Sequence, residues 1–199
     1  MAINPNYIFP PTLEDGFLNH VELLQFFSPP ECDSLIQLGT ALAKTQATVG
    51  ADSLNDTTLR KSVLSWLEHN QQTAWMWDKL AQIVQDVNKR YYNFQLLGFN
   101  ECAQFTEYDG EGAHYTWHMD YGAGGFSKRK LSLVVQLADP SDYDGENLEL
   151  FYGSAPFAVK KGRGNIAFFP SYTMHRVTPV TRGRRYTLVL WVSGQTSYR

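Results

Sequence analysis

The sequence predicts an α+β fold dominated by β structure, in which a helical layer packs against a double-sheeted core of sandwich or jelly-roll type. Two stretches of the first half carry apolar residues at helical spacing, and the second half carries six short β-rich segments separated by turn dipeptides. The chain has 199 residues, of which 43% are apolar, which is enough to bury one core. We therefore expect one domain over residues 1–199.

Two helices are predicted in the first half. The first begins at the capping box Ser28-Pro29-Pro30-Glu31, in which the two polar side chains satisfy each other's backbone N–H groups. The second runs from about Thr73 to about Tyr91, with an apolar stripe on one side. The polar, turn-rich stretch Gly50–Leu64 between them is predicted as a loop that holds at most a short strand. Helical support is therefore expected over about residues 28–95.

Six strands are predicted after Phe99, because short segments rich in β-branched and aromatic residues alternate with turn dipeptides such as Asp109-Gly110 and Arg182-Gly183. The predicted strands are Ala103–Tyr108, Leu131–Ala138, Leu148–Tyr152, Phe157–Lys160, Asn165–Phe169 and Tyr186–Val192. The β core is thus expected over about residues 99–195.

Charge, cysteine content and hydropathy indicate which partners and which cellular compartment to expect. A net charge of −3 and a pI near 5.9 argue against nucleic acid as a partner, since proteins that bind phosphate backbones usually carry a basic excess. Cys32 and Cys102 lie far apart and are expected to be reduced thiols of a cytoplasmic protein. The sequence shows neither a signal peptide nor an apolar run long enough to span a membrane, so no membrane association is expected.

The glycine-rich segment 121–130 is interpreted as either a mobile lid or an ordinary flexible loop. At its end, Lys128-Arg129-Lys130 is predicted to be a solvated charge run.

A metal site is indicated by His118-Met119-Asp120 together with His175. In an extended segment, residues two apart project from the same face, so His118 and Asp120 would point into one space. A jelly-roll core can bring His175 beside them. Two imidazoles and one carboxylate suit the facial triad of non-haem Fe(II) oxygenases, although zinc hydrolases use similar donors.

Arg185 favours the iron enzyme over the zinc hydrolase. It follows the predicted Arg182-Gly183 turn at the start of the last strand, where alternation places it on one face with Thr187, Val189 and Trp191. A guanidinium inside the core would need an anionic partner, and a dicarboxylate co-substrate supplies one through a bidentate pair.

The run His175–Tyr186 resembles the C-terminal signature of the prolyl 4-hydroxylase-like 2-oxoglutarate/Fe(II) dioxygenases, especially their bacterial and phage branch. Three further segments carry the resemblance: Tyr108-x-x-x-Gly112-x-x-Tyr115-x-x-His118-x-Asp120, Leu131-Ser132-Leu133 and Tyr143-Asp144-Gly145-Glu146-Asn147-Leu148. The spacing from Tyr108 to His118 is one residue longer than in some relatives. Gly145-Glu146-Asn147 stands in place of a more usual Gly-Gly-Glu.

The resemblance implies a double-stranded β-helix with Fe(II) on His118, Asp120 and His175. It also implies 2-oxoglutarate on Arg185, O2 as oxidant, and ascorbate as a possible additional cofactor. Tyr108 and Thr187 are further candidates for binding 2-oxoglutarate. Tyr115 and Trp191 are candidates for lining the substrate pocket.

The function implied is hydroxylation of an unactivated C–H bond, with release of succinate and CO2 from 2-oxoglutarate. A peptidyl residue, proline first, is the favoured substrate, and a free amino acid or small molecule is the alternative. Nucleic-acid demethylases of the same fold are a weaker alternative, because they carry a second arginine where this chain has Trp191. A β-sandwich binding module with a vestigial metal site is the non-enzymatic alternative.

Overall fold

Two antiparallel sheets face each other in this protein, and two helices cover the outer face of the larger sheet. The computed structural model describes residues 17–48, 56–145 and 147–198. The predicted loop Gly50–Leu64 lies partly outside these residues, as does Glu146 of the quoted motif. No helix in the described ranges is long and apolar enough to cross a membrane.

The larger sheet has nine strands: β1 (Val21–Leu23), β2 (Thr45–Gln46), β4 (Val63–Leu67), β5 (Leu96–Phe99), β6 (Ala103–Asp109), β8 (Arg129–Gln136), β9 (Tyr143–Gly145), β12 (Ile166–Pro170) and β14 (Val180–Gly194). The order is β1-β12-β8-β14-β6-β4-β2, and β5 and β9 also pair with the long strand β14.

The smaller sheet has five strands: β3 (Arg60–Lys61), β7 (His114–His118), β10 (Leu148–Phe151), β11 (Pro156–Ala158) and β13 (Met174–Val177). Their order is β11-β10-β13-β7-β3, so β7 and β13 are neighbours near its centre. The predicted β-dominated fold class is confirmed.

The helices lie close to where the sequence predicts them. Helix α1 (Pro29–Ala41) begins at the capping box, where the backbone N–H of Ser28 donates to Glu31 Oε2 at 2.7 Å. Helix α2 (Ala74–Val87) continues into a π-helical turn (Asn88–Tyr92).

Two apolar clusters lie on the two faces of the larger sheet. The outer cluster joins both helices to that sheet, and includes Leu35 of α1, Leu80 of α2 and Leu188 of β14, each fully buried. The inner cluster lies between the sheets, and includes Phe169 of β12 and Leu150 of β10. Burial of these apolar faces is the main force that holds the layers together.

The last strand differs from its prediction at its start. Strand β14 begins at Val180, so Arg182-Gly183 lies within it and is not a turn. Gly183 takes φ +73°, and the register with β9 shifts between Val180 and Arg182, which is typical of a β-bulge. Arg185 therefore lies within the strand and does not open it.

Candidate metal centre

Two neighbouring strands of the smaller sheet bring the predicted metal ligands together. His118 ends β7 and lies opposite His175 of β13 in the strand pair. Asp120 follows two residues later, beyond the end of the strand. One donor atom from each of the three side chains lies within 4.8 Å of the others. Asp120 Oδ1 is 3.9 Å from His118 Nε2, and Asp120 Oδ2 is 3.6 Å from His175 Nε2.

Hydrogen bonds from the backbone fix which nitrogen of each imidazole faces the centre. His118 Nδ1 lies 2.7 Å from the carbonyl oxygen of Thr116, and His175 Nδ1 lies 2.9 Å from that of Thr173. A carbonyl only accepts, so each Nδ1 carries a hydrogen, and in the neutral imidazole Nε2 then keeps its lone pair. This tautomer is the one that a metal bound at Nε2 needs.

Asp120 is oriented by the buried hydroxyl of Ser132, a residue that was not among the predicted site residues. Ser132 Oγ donates to Asp120 Oδ2 at 2.6 Å and lies 3.0 Å from Ser171 Oγ. Ser132 is fully buried in β8. The only signal in the sequence was its place in the Leu131-Ser132-Leu133 motif.

The electrostatics of the centre favour a neutral His118 imidazole beside an ionised Asp120 carboxylate. Burial, with His175 nearby, lowers the pKa of His118 well below its usual range, although Asp120 acts in the opposite direction. Burial alone would raise the pKa of Asp120, but His175, His118 and Ser132 outweigh it and lower the pKa. This donor set, with its lone pairs available, fits Fe(II).

The three donors face a cavity of about 500 Å³. Its wall includes Tyr108, Tyr115 and Trp191, three of the residues predicted to bind co-substrate or substrate. The Tyr115 ring stacks on the His118 imidazole, with ring centroids 3.5 Å apart. The indole Nε1 of Trp191 is buried and has no hydrogen-bond partner among the described residues.

Arg185 and Thr187 are buried close behind this wall. Arg185 is 2% exposed, and Thr187 is 1% exposed. Arg185 Nε donates to Gln136 Oε1 at 3.0 Å, and its guanidinium carbon lies 5.4 Å from the centre of the Tyr108 ring. Neither residue belongs to the lining of the cavity, whereas Trp191, further along the same strand, does.

The predicted solvated charge run is wrong for two of its three residues. Arg129 is 7% exposed and Lys130 is 8% exposed. Arg129 Nε donates to Glu101 Oε1 at 2.7 Å, and its Nη1 donates to the backbone oxygen of Asp120 at 3.3 Å. The run leads into β8, a strand buried along its whole length, and Glu101 supplies the countercharge.

Among the other unpredicted residues of the wall, two are charged. Arg60 lies in the stretch expected to be a loop, and Glu101 precedes the first predicted strand. Both reach the cavity through pairings between distant segments, β3 with β7 and Glu101 with Arg129. No local pattern in the sequence reports such pairings.

Residues 103–193 match the family model described as the 2OG-Fe(II) oxygenase superfamily. A PKHD-type hydroxylase of Nitrosomonas europaea is 33% identical over 94 residues, which are 44% of this chain and 41% of that protein. One from Acidovorax ebreus is 37% identical over 99 residues, covering 47% and 41%. The matched segment thus spans about two fifths of the length of these curated relatives.

Two solved structures share the fold over most of the chain. A prolyl hydroxylase of Trichoplax adhaerens, solved in complex with a hypoxia inducible factor oxygen degradation domain peptide fragment, has a TM-score of 0.75 at 16% identity. The alignment covers 89% of this chain and 84% of that one. A prolyl-4-hydroxylase of Pseudomonas putida has a TM-score of 0.70 at 20% identity, covering 89% and 93%. The resemblance predicted from the motifs is therefore confirmed over residues 103–193, the part of the chain that matches the 2OG-Fe(II) oxygenase superfamily.

Proposed function

We propose that this protein is an Fe(II)- and 2-oxoglutarate-dependent hydroxylase of the prolyl 4-hydroxylase type. Its substrate is an unactivated C–H bond of a peptidyl residue, with proline favoured. The main support is the convergence of one donor atom each from His118, Asp120 and His175 within 4.8 Å, at the wall of a cavity. The domain proposed has helical support over about residues 28–95 and a catalytic core over about 99–195.

In this proposal His118 Nε2, His175 Nε2 and one oxygen of Asp120 hold the metal. Fe(II), when bound there, couples O2 reduction and the oxidative decarboxylation of 2-oxoglutarate to hydroxylation of the substrate. The protein orients both imidazoles with Nε2 toward the metal through their Nδ1 contacts, and holds the carboxylate in place through Ser132. The donor atoms are thereby set before the metal arrives, which favours tight binding.

Arg185 is proposed to bind the far carboxylate of 2-oxoglutarate. Its burial and its contact with Gln136 hold the guanidinium in one orientation. A bidentate pair between the guanidinium and the carboxylate would orient the co-substrate along the cavity. Tyr108, at 5.4 Å from that guanidinium, and Thr187 on the same face of β14 are proposed as further contacts.

The substrate is proposed to lie against Tyr115 and Trp191. Both line the cavity next to the metal centre, and their rings offer apolar surface that keeps water away from the reacting carbon. A peptide is favoured because a fold neighbour was solved with a peptide fragment bound. We also propose ascorbate as an additional cofactor. The proposed compartment is the cytoplasm, which the two free cysteines, Cys32 and Cys102, support.

The test is the weak visible charge-transfer band expected when Fe(II) and 2-oxoglutarate are added anaerobically. Asp120→Ala should abolish the band, and Arg185→Ala should require much more 2-oxoglutarate to produce it. Asp86→Ala and Arg90→Ala are matched controls, because both residues are exposed on the α2 side, away from the cavity. Unchanged bands in both site variants would contradict the proposal.

A screen for succinate release then separates the candidate substrates. Peptides, free amino acids and oligonucleotides are offered to the protein with Fe(II), 2-oxoglutarate and O2. Turnover stimulated by oligonucleotides alone would favour the demethylase alternative. A protein that binds metal but never consumes 2-oxoglutarate would match the vestigial binding module.

A further inference from the structure

Arg60 is a buried cation in the wall of the cavity. Only 7% of the residue is exposed. Its Nε donates to Ser62 Oγ at 3.1 Å, and its guanidinium carbon lies 4.4 Å from the centre of the Tyr115 ring. Within the described ranges, no carboxylate lies within 4 Å of its nitrogen atoms. A buried charge without a countercharge is costly, so a ligand is the natural source of one.

Five other arginines, unlike Arg60, have a carboxylate within ion-pair distance. Carboxylate partners are present for Arg129, Arg163, Arg176, Arg182 and Arg184. Of these five, only Arg129 is as buried as Arg60, and it has Glu101 beside it. Five of the eight arginines that the structure describes thus pair with a carboxylate, and Arg60 is not among them.

The charge of the cavity leads to the same conclusion. Arg60 and Arg129 line it, with Arg185 buried behind, while Asp120 and Glu101 are the acidic residues of the wall. Fe(II) and 2-oxoglutarate carry equal and opposite charges, so their joint binding leaves this balance unchanged. One positive charge then remains, and it attracts an anionic group on whatever enters next.

Arg60 lies close enough to the metal centre for a substrate to span both. The Tyr115 ring contacts the His118 imidazole at 3.5 Å and the Arg60 guanidinium at 4.4 Å, so a single aromatic ring separates the cation from a metal ligand. Trp191 adds a second donor to the wall, its buried indole N–H, which has no hydrogen-bond partner in the described part of the chain. A ligand rich in acceptor oxygens suits both groups.

From these contacts we infer that Arg60 binds a carboxylate of the substrate and thereby selects substrates that carry one. The inference rests on the proposed hydroxylase function and narrows its substrate class. The carboxylate can belong to a free amino acid, to the C-terminal residue of a peptide, or to an acidic side chain beside the hydroxylated residue. In each case the guanidinium pairs with both oxygens and positions the C–H bond over the metal centre.

Matched pairs of acid and amide test this selection by succinate release. The pairs are L-proline and L-prolinamide, acetyl-Gly-Pro and its C-terminal amide, and amidated peptides that contain Pro-Asp or Pro-Asn. In the wild-type protein, the acid member of the productive pair should show a KM roughly 10- to 100-fold lower than its amide. In Arg60→Gln the two values should converge, mainly through KM, and the productive pair identifies the source of the carboxylate.

Lys61→Gln is the matched control, since it removes the same charge from the next residue of β3. Lys61 Nζ donates to the carbonyl oxygen of Glu111, and the residue does not line the cavity. This variant should keep the preference for the acid. An amide turned over as well as its acid, with a KM unchanged in Arg60→Gln, would overturn the inference.

A second measurement needs neither turnover nor iron. In metal-free protein at constant ionic strength, replacing chloride by acetate should raise the Tm by about 3–6 °C once acetate exceeds its Kd about tenfold. Lys61→Gln should keep the full rise. Arg185→Ala, which removes the other proposed carboxylate site, should keep the part due to Arg60, and adding Arg60→Gln to that variant should abolish it. Three results would each refute the carboxylate site at Arg60. They are no rise in the wild-type protein, a rise lost only in Arg185→Ala, and a larger rise with inorganic phosphate than with acetate. The acetate measurement does not depend on the charge-transfer band. The carboxylate site at Arg60 and the proposed hydroxylase function can therefore be refuted independently.

Discussion

Arg129 stacks on Trp191, with its guanidinium carbon 3.8 Å from the centre of the indole ring. The same guanidinium pairs with Glu101 and donates to the backbone oxygen of Asp120. One side chain therefore connects the wall of the cavity to the loop that carries Asp120, the proposed acidic ligand of the metal. The position of Asp120 depends on this connection as well as on Ser132.

Glu101→Gln should destabilise the protein because it leaves Arg129 buried without its countercharge. Glu101 keeps 30% of its side chain exposed, which moderates the effect. We expect the free energy of unfolding to fall by about 1–3 kcal/mol, measured by urea denaturation. The double variant with Arg129→Met should recover part of this loss, since it also removes the unpaired charge. A Glu101→Gln protein as stable as the wild type would contradict this account.

Ser132→Ala should weaken metal binding without unfolding the protein. The substitution removes the hydroxyl that donates to Asp120 Oδ2 at 2.6 Å, so the carboxylate loses part of its orientation. Loss of such a supporting hydrogen bond typically lowers metal affinity about 10- to 100-fold. Calorimetric titration with Mn(II) under anaerobic conditions measures the change. Ser34→Ala, on the exposed side of α1, is the control, and equal affinities in the two variants would show that Ser132 does not position the ligand.

Acidification should destabilise the metal-free protein through His118. Burial and the neighbouring His175 hold the pKa of His118 well below 6.5, so the folded protein keeps this imidazole neutral. The unfolded chain takes up a proton at about pH 6.5, and unfolding therefore becomes more favourable as the pH falls below that value. Above it, the stabilisation is fully present.

The free energy of unfolding should fall by up to about 1.4 kcal/mol per pH unit in this window, because one proton is taken up on unfolding. Urea denaturation between about pH 7.5 and 5.5 gives the slope. His118→Gln should remove this part of the slope, and His69→Gln, at an exposed position, should retain it. A slope unchanged in His118→Gln would show that another group is responsible.

Local patterns in the sequence predict the features that depend on neighbouring residues. The capping box at Ser28 and Glu31 predicts the start of α1, because both partners lie within one helical turn. Strand alternation in β14 is equally local, and it correctly separates Trp191, which lines the cavity, from Leu190, which packs under the helices.

Features that depend on distant pairings are not predicted by such patterns. Arg129 was expected in solvent because the local run is basic, and only the fold brings Glu101 beside it. Arg60 reaches the centre because β3 pairs with β7 and places it opposite Tyr115. The bulge at Gly183 extends β14 through residues whose composition indicates a turn.

Gly183→Ala should destabilise the protein more than Gly112→Ala, and the pair separates two effects of a side chain. Both glycines have positive φ, +73° and +82°. Such a backbone conformation costs a non-glycine residue about 1 kcal/mol. A Cβ at Gly112 meets nothing within 4 Å, whereas a Cβ at Gly183 would lie 1.9 Å from the backbone oxygen of Asp142. The backbone at Asp142 cannot move away from this Cβ without disturbing the pairing of β9 with β14.

We therefore expect a loss of about 1 kcal/mol in Gly112→Ala and of at least about 3 kcal/mol in Gly183→Ala, measured by urea denaturation. Arg185 lies two residues beyond Gly183, so the Gly183→Ala protein should also bind 2-oxoglutarate more weakly in the anaerobic charge-transfer titration. Equal losses of stability in the two variants would mean that both losses come from the positive φ alone, and that β9 moves aside for the Cβ without cost. In that case the bulge would not fix the position of Arg185.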